Sequence, residues 1–216
     1  MMRVRLTFIS GSKNLCPMDL QLFLERFDHE GMVVLLEGKR NVLPADESRL
    51  VSLGALLAGN TRHVIFRSGN ASGSDALFSA GVATVDPTRL QVVVPYAGHR
   101  NASNVAGQTY SLDAINLAKE PDVVYESRMH VKTQKLVDRY VAGERDRYAL
   151  KAAYILRDTV KVLGAEGIPP AAFAFFYDDL EAPETGGTGH TMQVCRRNNV
   201  PFIDQRIWFS WLGQES

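Results

Sequence analysis

The chain has 216 residues, 45% hydrophobic and 22% charged, enough for one large domain with its own core. Its 24 basic side chains balance 24 acidic ones, which argues against strong nucleic-acid binding. Two cysteines, Cys16 and Cys195, make no disulfide framework and fit a reducing cytoplasm, and no run reaches the ~18 apolar residues of a membrane span. In chain order, Val4 to Ile9 alternates like a strand, its apolar part too short for a signal peptide, and ends in Ser10-Gly11-Ser12. After Pro17, Met18 to His29 carries Leu20, Phe23, Leu24 and Phe27 at helical spacing. Met32 to Leu36 reads as a strand, Gly38 to Pro44 as a loop, and Asp46 to Ala58 as a helix with a leucine stripe. His63 to Arg67 is the next strand, and it runs into Ser68-Gly69-Asn70-Ala71-Ser72-Gly73-Ser74-Asp75 and a helix through Ala83. Gln91 to Val94 is a strand closed by Pro95.

The middle, Ser111 to Gly164, is charged and predicted helical, with breaks near Pro121 and Gly143. Within it, Lys132 to Arg157 carries both charge signs and reads as a solvated helical face. The core pattern resumes at Ala171 to Tyr177, and Pro201-Phe202-Ile203 reads as a last short strand. Ile207 to Leu212 is a bulky tail, read as packed on the domain or as a dimer contact. Alternating strands and helices predict one α/β domain over 1–216. Its fold class is Rossmann-like, with a mostly parallel sheet, helices on both faces and an inserted helical region at about 111–164.

The aromatic run ending at Tyr177 precedes Glu184-Thr185-Gly186-Gly187-Thr188-Gly189-His190-Thr191. Glycines let backbone approach a ligand, and the first amides of a helix attract anions, phosphate above all. Ligands of open parallel sheets bind outside the carboxyl ends of the strands. Three small-residue turns fall there, around Gly11 and Ser12, from Ser68 to Asp75, and from Thr185 to Thr191. They predict one site for a phosphorylated small molecule, a nucleotide first. The dinucleotide G-x-G-x-x-G spacing, the G-x-x-x-x-G-K-[ST] loop and the G-x-S-x-G elbow are all absent.

Ser68 to Phe78 resembles the "GG-x-x-G-x-D-x-x-A" loop and helix of the SLOG superfamily, a Rossmann-like group. It includes DNA-processing protein A, the LOG phosphoribohydrolases and molybdenum-cofactor carriers. Tyr154 to Val160 is similar to its "I-R-N-R" element, and Gly186 to Thr191 to its "GG-x-GT" loop. The resemblance implies a nucleotide phosphate on the glycine loops, with Arg157 near it. Aligned on the glycines, Gln193 stands where LOG hydrolases carry a catalytic glutamate, and Thr185 and His190 replace the family's proline and threonine. Whether the chain catalyses a reaction is left open.

The resulting binding set is Gly11, Ser12, Ser68, Gly69, Asn70, Gly73, Asp75, Arg157, Gly186, Gly187, Thr188, Gly189, His190 and Thr191. His190 is read either as a donor to a ligand oxygen or as a local cap, and Asp75 as a cap or a hydroxyl contact. Asp178, Asp179, Glu181 and Glu184 form an acidic loop, or hold a ribose hydroxyl or Mg²⁺ with a bound nucleotide. Tyr96, His99 and Arg100 are candidates to close over a base or sugar, and the five histidines show no zinc spacing. The expected partners are a nucleotide-like small molecule and a second copy of the chain, in the cytoplasm. Two alternatives stand beside this: an N-glycosidase using Asp179 or Glu184, and a single-stranded DNA-binding recombination mediator.

Overall fold

A computed structural model describes residues 18–129 and 133–213. The expected first strand, the loop with Gly11 and Ser12, and Cys16 lie outside the described residues. The elements are α1 (Leu20–Phe27), β1 (Val33–Gly38), α2 (Glu47–Asn60), β2 (Ile65–Ser68), α3 (Ser74–Val85), β3 (Leu90–Val94), β4 (Gln108–Ser111), α4 (Pro121–Arg128), α5 (Gln134–Val141), α6 (Ala149–Leu163), β5 (Phe173–Tyr177), α7 (Gly186–Arg197), β6 (Phe202–Asp204) and α8 (Gln205–Trp208). All six strands run parallel in the order β4-β3-β2-β1-β5-β6, a Rossmann-like α/β architecture. The chain works outward from β1 to β4, returns through α4–α6, and resumes on the other side of β1. The reversal therefore lies between β1 and β5, where Val34 pairs with Phe173 and Gly38 with Tyr177.

Strand side chains alternate between faces, so each strand serves two different layers. One face carries Val34, Leu36, Phe66, Leu90, Phe173 and Phe175, covered by α1, α2, α3 and the C-terminal turn. Phe23 packs edge-on against Phe173 and Phe175 at 5.3 and 5.1 Å between centroids. Trp208 is fully buried there, and its Nε1 donates to Phe176 O at 3.0 Å. The tail thus packs on its own domain through Trp208. The opposite face carries Leu35, Ala174 and Phe176 beneath α7, and Val93 beneath α6, with α4 and α5 packed on α6.

Two expectations change. Strand β4 was not anticipated from the sequence, because Gln108-Thr109-Tyr110-Ser111 is polar and sits at the sheet edge, where one side needs no partner. The expected solvated face, Lys132 to Arg157, is exposed over 141–148, but its end enters α6, a crossover helix in which Ala152, Ala153, Leu156 and Arg157 are buried, as are Asp158, Val160 and Lys161 beyond it. The expected breaks hold, with Pro121 opening α4 and Gly143 at φ +96° two residues after α5.

Candidate functional site: a cleft at the strand-order reversal

A cleft of about 310 Å³ opens at the carboxyl ends of β1 and β5. Its lining comes from four segments: Glu37 to Arg40 at the end of β1 and just beyond it, Ala71 and Asp75 at the start of α3, Tyr154, Ile155, Arg157 and Asp158 of α6, and Thr185 to Thr188 at the start of α7. A recess of about 160 Å³ adjoins it, sharing Arg40, Ala71, Tyr154 and Arg157 and adding Ser72, His99 and Arg100. The reversal separates the two loops that follow β1 and β5, which leaves room between them. Two of the three expected turns meet here. The third wall is the Gly38-Lys39-Arg40 loop.

The loops after β1 and β2 are tied together. Asp75 Oδ2 accepts from Gly69 N and Ala71 N at 3.1 and 3.3 Å, and its Oδ1 from Gly38 N at 3.4 Å. Ser74 N and Ser74 Oγ both donate to Lys39 O, at 3.1 and 2.7 Å. Gly73 sits at φ +79°, and a Cβ there would fall 2.0 Å from Arg40 O, so this turn requires glycine. Asn70, at φ +53°, donates from Nδ2 to His99 O at 3.3 Å. Asp75 therefore acts as the organiser of both loops, while Ser68, fully buried, and Gly69 shape the wall behind it.

The floor is ionic. Arg157 Nη1 donates to Gly69 O, and Arg157 Nε lies 3.0 Å from Asp158 Oδ1. Lys161 Nζ bridges Glu37 Oε2 at 2.6 Å and Asp158 Oδ1 at 2.9 Å. Thr191 Oγ1 donates to Glu37 Oε1 at 3.0 Å and also lies 3.1 Å from Gly187 O. Burial pushes the Glu37 carboxyl up to about 7, against the pull of Lys161. Burial acts the same way on Asp158, but Arg157 and Lys161 overcome it and hold that carboxyl below the ordinary range. In the recess, burial and then the charges of Arg157, Arg100 and Arg40 lower His99, which marks an electropositive mouth. His99 packs edge-on against Tyr96 and Tyr154 at 4.9 and 5.8 Å.

Helix α7 supplies the anion-attracting end. Gly189 N to Thr185 O, at 3.1 Å, is its first intrahelical bond, so the amides of Gly186, Gly187 and Thr188 precede the ladder. Lys39 Nζ donates to Thr185 O and Oγ1 at 2.8 and 2.7 Å and reaches Asp178 Oδ1 at 3.5 Å. Gly186 and Gly187 line the cleft, whereas Gly189 packs against the Glu184 backbone, where a Cβ would come within 1.9 Å of Glu184 O.

Several expected positions fall elsewhere. His190 is buried behind the cleft, with Nε2 3.0 Å from Thr159 Oγ1, which in turn receives Ser127 Oγ at 2.7 Å. It ties α7 to α6 and α4 because the second turn of α7 has already rotated it inward. Thr191 likewise faces Glu37 from within. Asp178 is buried and accepts from Glu184 N, Asp179 caps its own turn through Glu181 N and Ala182 N, and Glu184 pairs with Arg196. None of these carboxylates lines the cleft. Among the described residues, no group of three or more His, Cys, Asp or Glu is placed to hold a metal ion. No helix among them is long and apolar enough to cross a membrane.

Sequence reasoning missed Glu37, Lys39, Arg40, Asp158 and Lys161. Glu37 was visible as a charge closing an apolar strand, and Arg157, Asp158 and Lys161 as charges recurring on one helical face.

No protein-family model matches the chain, and no curated protein matches it. Among solved structures it is similar to DNA processing protein A from Helicobacter pylori, described for its single-stranded DNA binding mode. The two share 16% identity over 87% of this chain and 69% of that one, with a TM-score of 0.44.

Proposed function

We propose that the cleft binds a phosphorylated small molecule of the nucleotide class. One observation supports this most: the open amides of Gly186 to Thr188 share one small cleft with Lys39, Arg40 and Arg157 at the reversal of strand order. The phosphate sits against the first turn of α7. Arg40 reaches it from the opposite wall, and a planar group lies in the recess beside His99 and Tyr154. The binding role expected of Gly186, Gly187 and Thr188 is retained. Arg157 serves as a wall charge rather than a free clamp, since its Nη1 and Nε already have partners. Glu184 and Asp179, the carriers of the N-glycosidase alternative, do not line this cleft.

Titration of nucleoside mono-, di- and triphosphates into wild type and Arg40→Ala tests the reading, with a single-stranded oligonucleotide as a further arm. One phosphate class should bind, and Arg40→Ala, an exposed position, should weaken it about tenfold or more through loss of a charge-assisted contact. Oligonucleotide binding should be weak and salt-sensitive. Equal affinity in both proteins, or no binding by any member, overturns the proposal. Nanomolar oligonucleotide binding at physiological salt replaces it with the single-strand alternative.

A further inference from the structure

The cleft floor holds an odd charge. Glu37, Asp75 and Asp158 bring three carboxylates against two cations, Arg157 and Lys161, and all five side chains are buried. Two of the carboxylates are well served. Asp75 accepts from three backbone amides, and Asp158 lies between Arg157 and Lys161. Glu37 shares Lys161 with Asp158 and has Thr191 as its hydroxyl donor. On α7, Cys195 faces Glu37 as a buried thiol that burial keeps protonated, while His190 bonds Thr159 and acts on Asp158. Arg157 acts on Glu37 from α6, and Lys39 and Arg40 line the same cleft from the loop that follows β1. An anion placed against α7 meets this surplus negative charge.

We propose that Glu37 is a proton-accepting site linked to ligand capture: an anion enters the cleft together with one proton, which binds Glu37 and leaves when the anion leaves. This rests on the anion-site reading above. The proton comes from solvent, so the floor becomes neutral as the ligand's charge arrives. Thr191 makes the exchange local. Its single hydroxyl hydrogen has two acceptors in reach, Glu37 Oε1 at 3.0 Å and Gly187 O at 3.1 Å. With Glu37 ionised, the hydroxyl donates to the carboxylate. With Glu37 protonated at Oε1, the carboxyl donates to Thr191 Oγ1, and the hydroxyl turns to Gly187 O. Neither state leaves a buried donor or acceptor unmatched at this pair. Lys161 keeps Asp158 in both. Gly187 belongs to the first turn of α7, so the rotor joins the proton site to the anion site.

Two measurements test this. Infrared titration of the ligand-free wild type should show a protonated carboxyl band that fades as pH rises through neutrality. The band should be missing in Glu37→Gln and shifted in midpoint in Thr191→Val. A wild type without such a band overturns the proposal without recourse to any variant. Binding is then followed with sulfate, which carries no titrating proton of its own near neutral pH, and with a nucleoside monophosphate. A pH-stat should record uptake of up to one proton per site, and affinity should fall by up to about tenfold per pH unit above the midpoint. Glu37→Gln should bind with no uptake. Binding without uptake in wild type overturns the linkage and leaves the anion site standing. No binding of either anion at pH 6 or pH 8 overturns both.

Discussion

The two faces of the sheet are built on opposite rules. Beneath α1, α2 and α3 the strands present Val34, Leu36, Phe66, Phe173 and Phe175 to a layer made mainly of apolar side chains, with no buried ion pair among the described residues between the strands and these helices. Beneath α6 and α7 the same strands present Leu35 and Ala174, but also Arg67 and Glu37. Arg67 is fully buried and donates to Lys161 O, Pro169 O and Gln91 Oε1, and burial lowers its guanidinium to about 10. A parallel sheet covered on both sides has no general need for such charges. Replacing buried ion pairs with well-packed apolar groups is often neutral or stabilising, so stability alone does not account for them. Glu37 of the polar face and Arg157 and Asp158 of α6 line the cleft, whereas the apolar side reaches it only through the start of α3, which associates these buried charges with the site.

Substitutions on each face sharpen this contrast. The largest loss is expected on the apolar face. Trp208→Ala removes a fully buried ring and leaves Phe176 O without its donor, and should cost about 3–5 kcal/mol in denaturant unfolding, with little dependence on pH. A pH-dependent loss would erase the distinction between the faces.

Lys161→Met comes next, and pH is the discriminating variable. It leaves Glu37 and Asp158 with Arg157 as their remaining cation and should cost about 3 kcal/mol or more near pH 8. The Glu37 carboxyl binds its proton more tightly folded than unfolded. Its ionisation therefore erodes stability as pH rises from the ordinary carboxylate range through about 7. The Lys161→Met penalty should accordingly be smaller near pH 5.5 than near pH 8. Thermal melts giving the same penalty at both values would refute the coupling.

The smallest effect is expected away from both layers. Arg196→Ala breaks the half-exposed pair with Glu184 and should change stability by less than about 1 kcal/mol, more weakly still in high salt. It also leaves the cleft lining intact, so nucleotide affinity should match wild type. A large loss of affinity would restore Glu184 as a site residue.

How much of this was legible depends on which face a residue serves. The apolar runs ending at Leu36, Arg67, Val94 and Tyr177 announced four strands, and the turns after two of them announced two walls of the cleft. Such runs carry their own signal, because burial on both faces demands them. The floor was hidden for the converse reason. Glu37 and Lys161 are ordinary surface types, and what makes them buried is a partner more than 120 residues away in sequence. The Gly38-Lys39-Arg40 wall was read as plain loop, because only the sheet order places it opposite α7. His190 illustrates the limit of motif reasoning. It stands in the glycine-rich stretch, but helical rotation of about 100° per residue carries it from the cleft side to the α6 side.

The doubled hydrogen bond from Ser74 to Lys39 O, backed by the Gly73 turn against Arg40 O, has a kinetic consequence. Two loops clasped this way already hold their final spacing, so a ligand meets a finished wall rather than one that must assemble around it. Association should be a single-step process limited by encounter and by the basic mouth, with residence time rather than capture rate separating good ligands from poor ones.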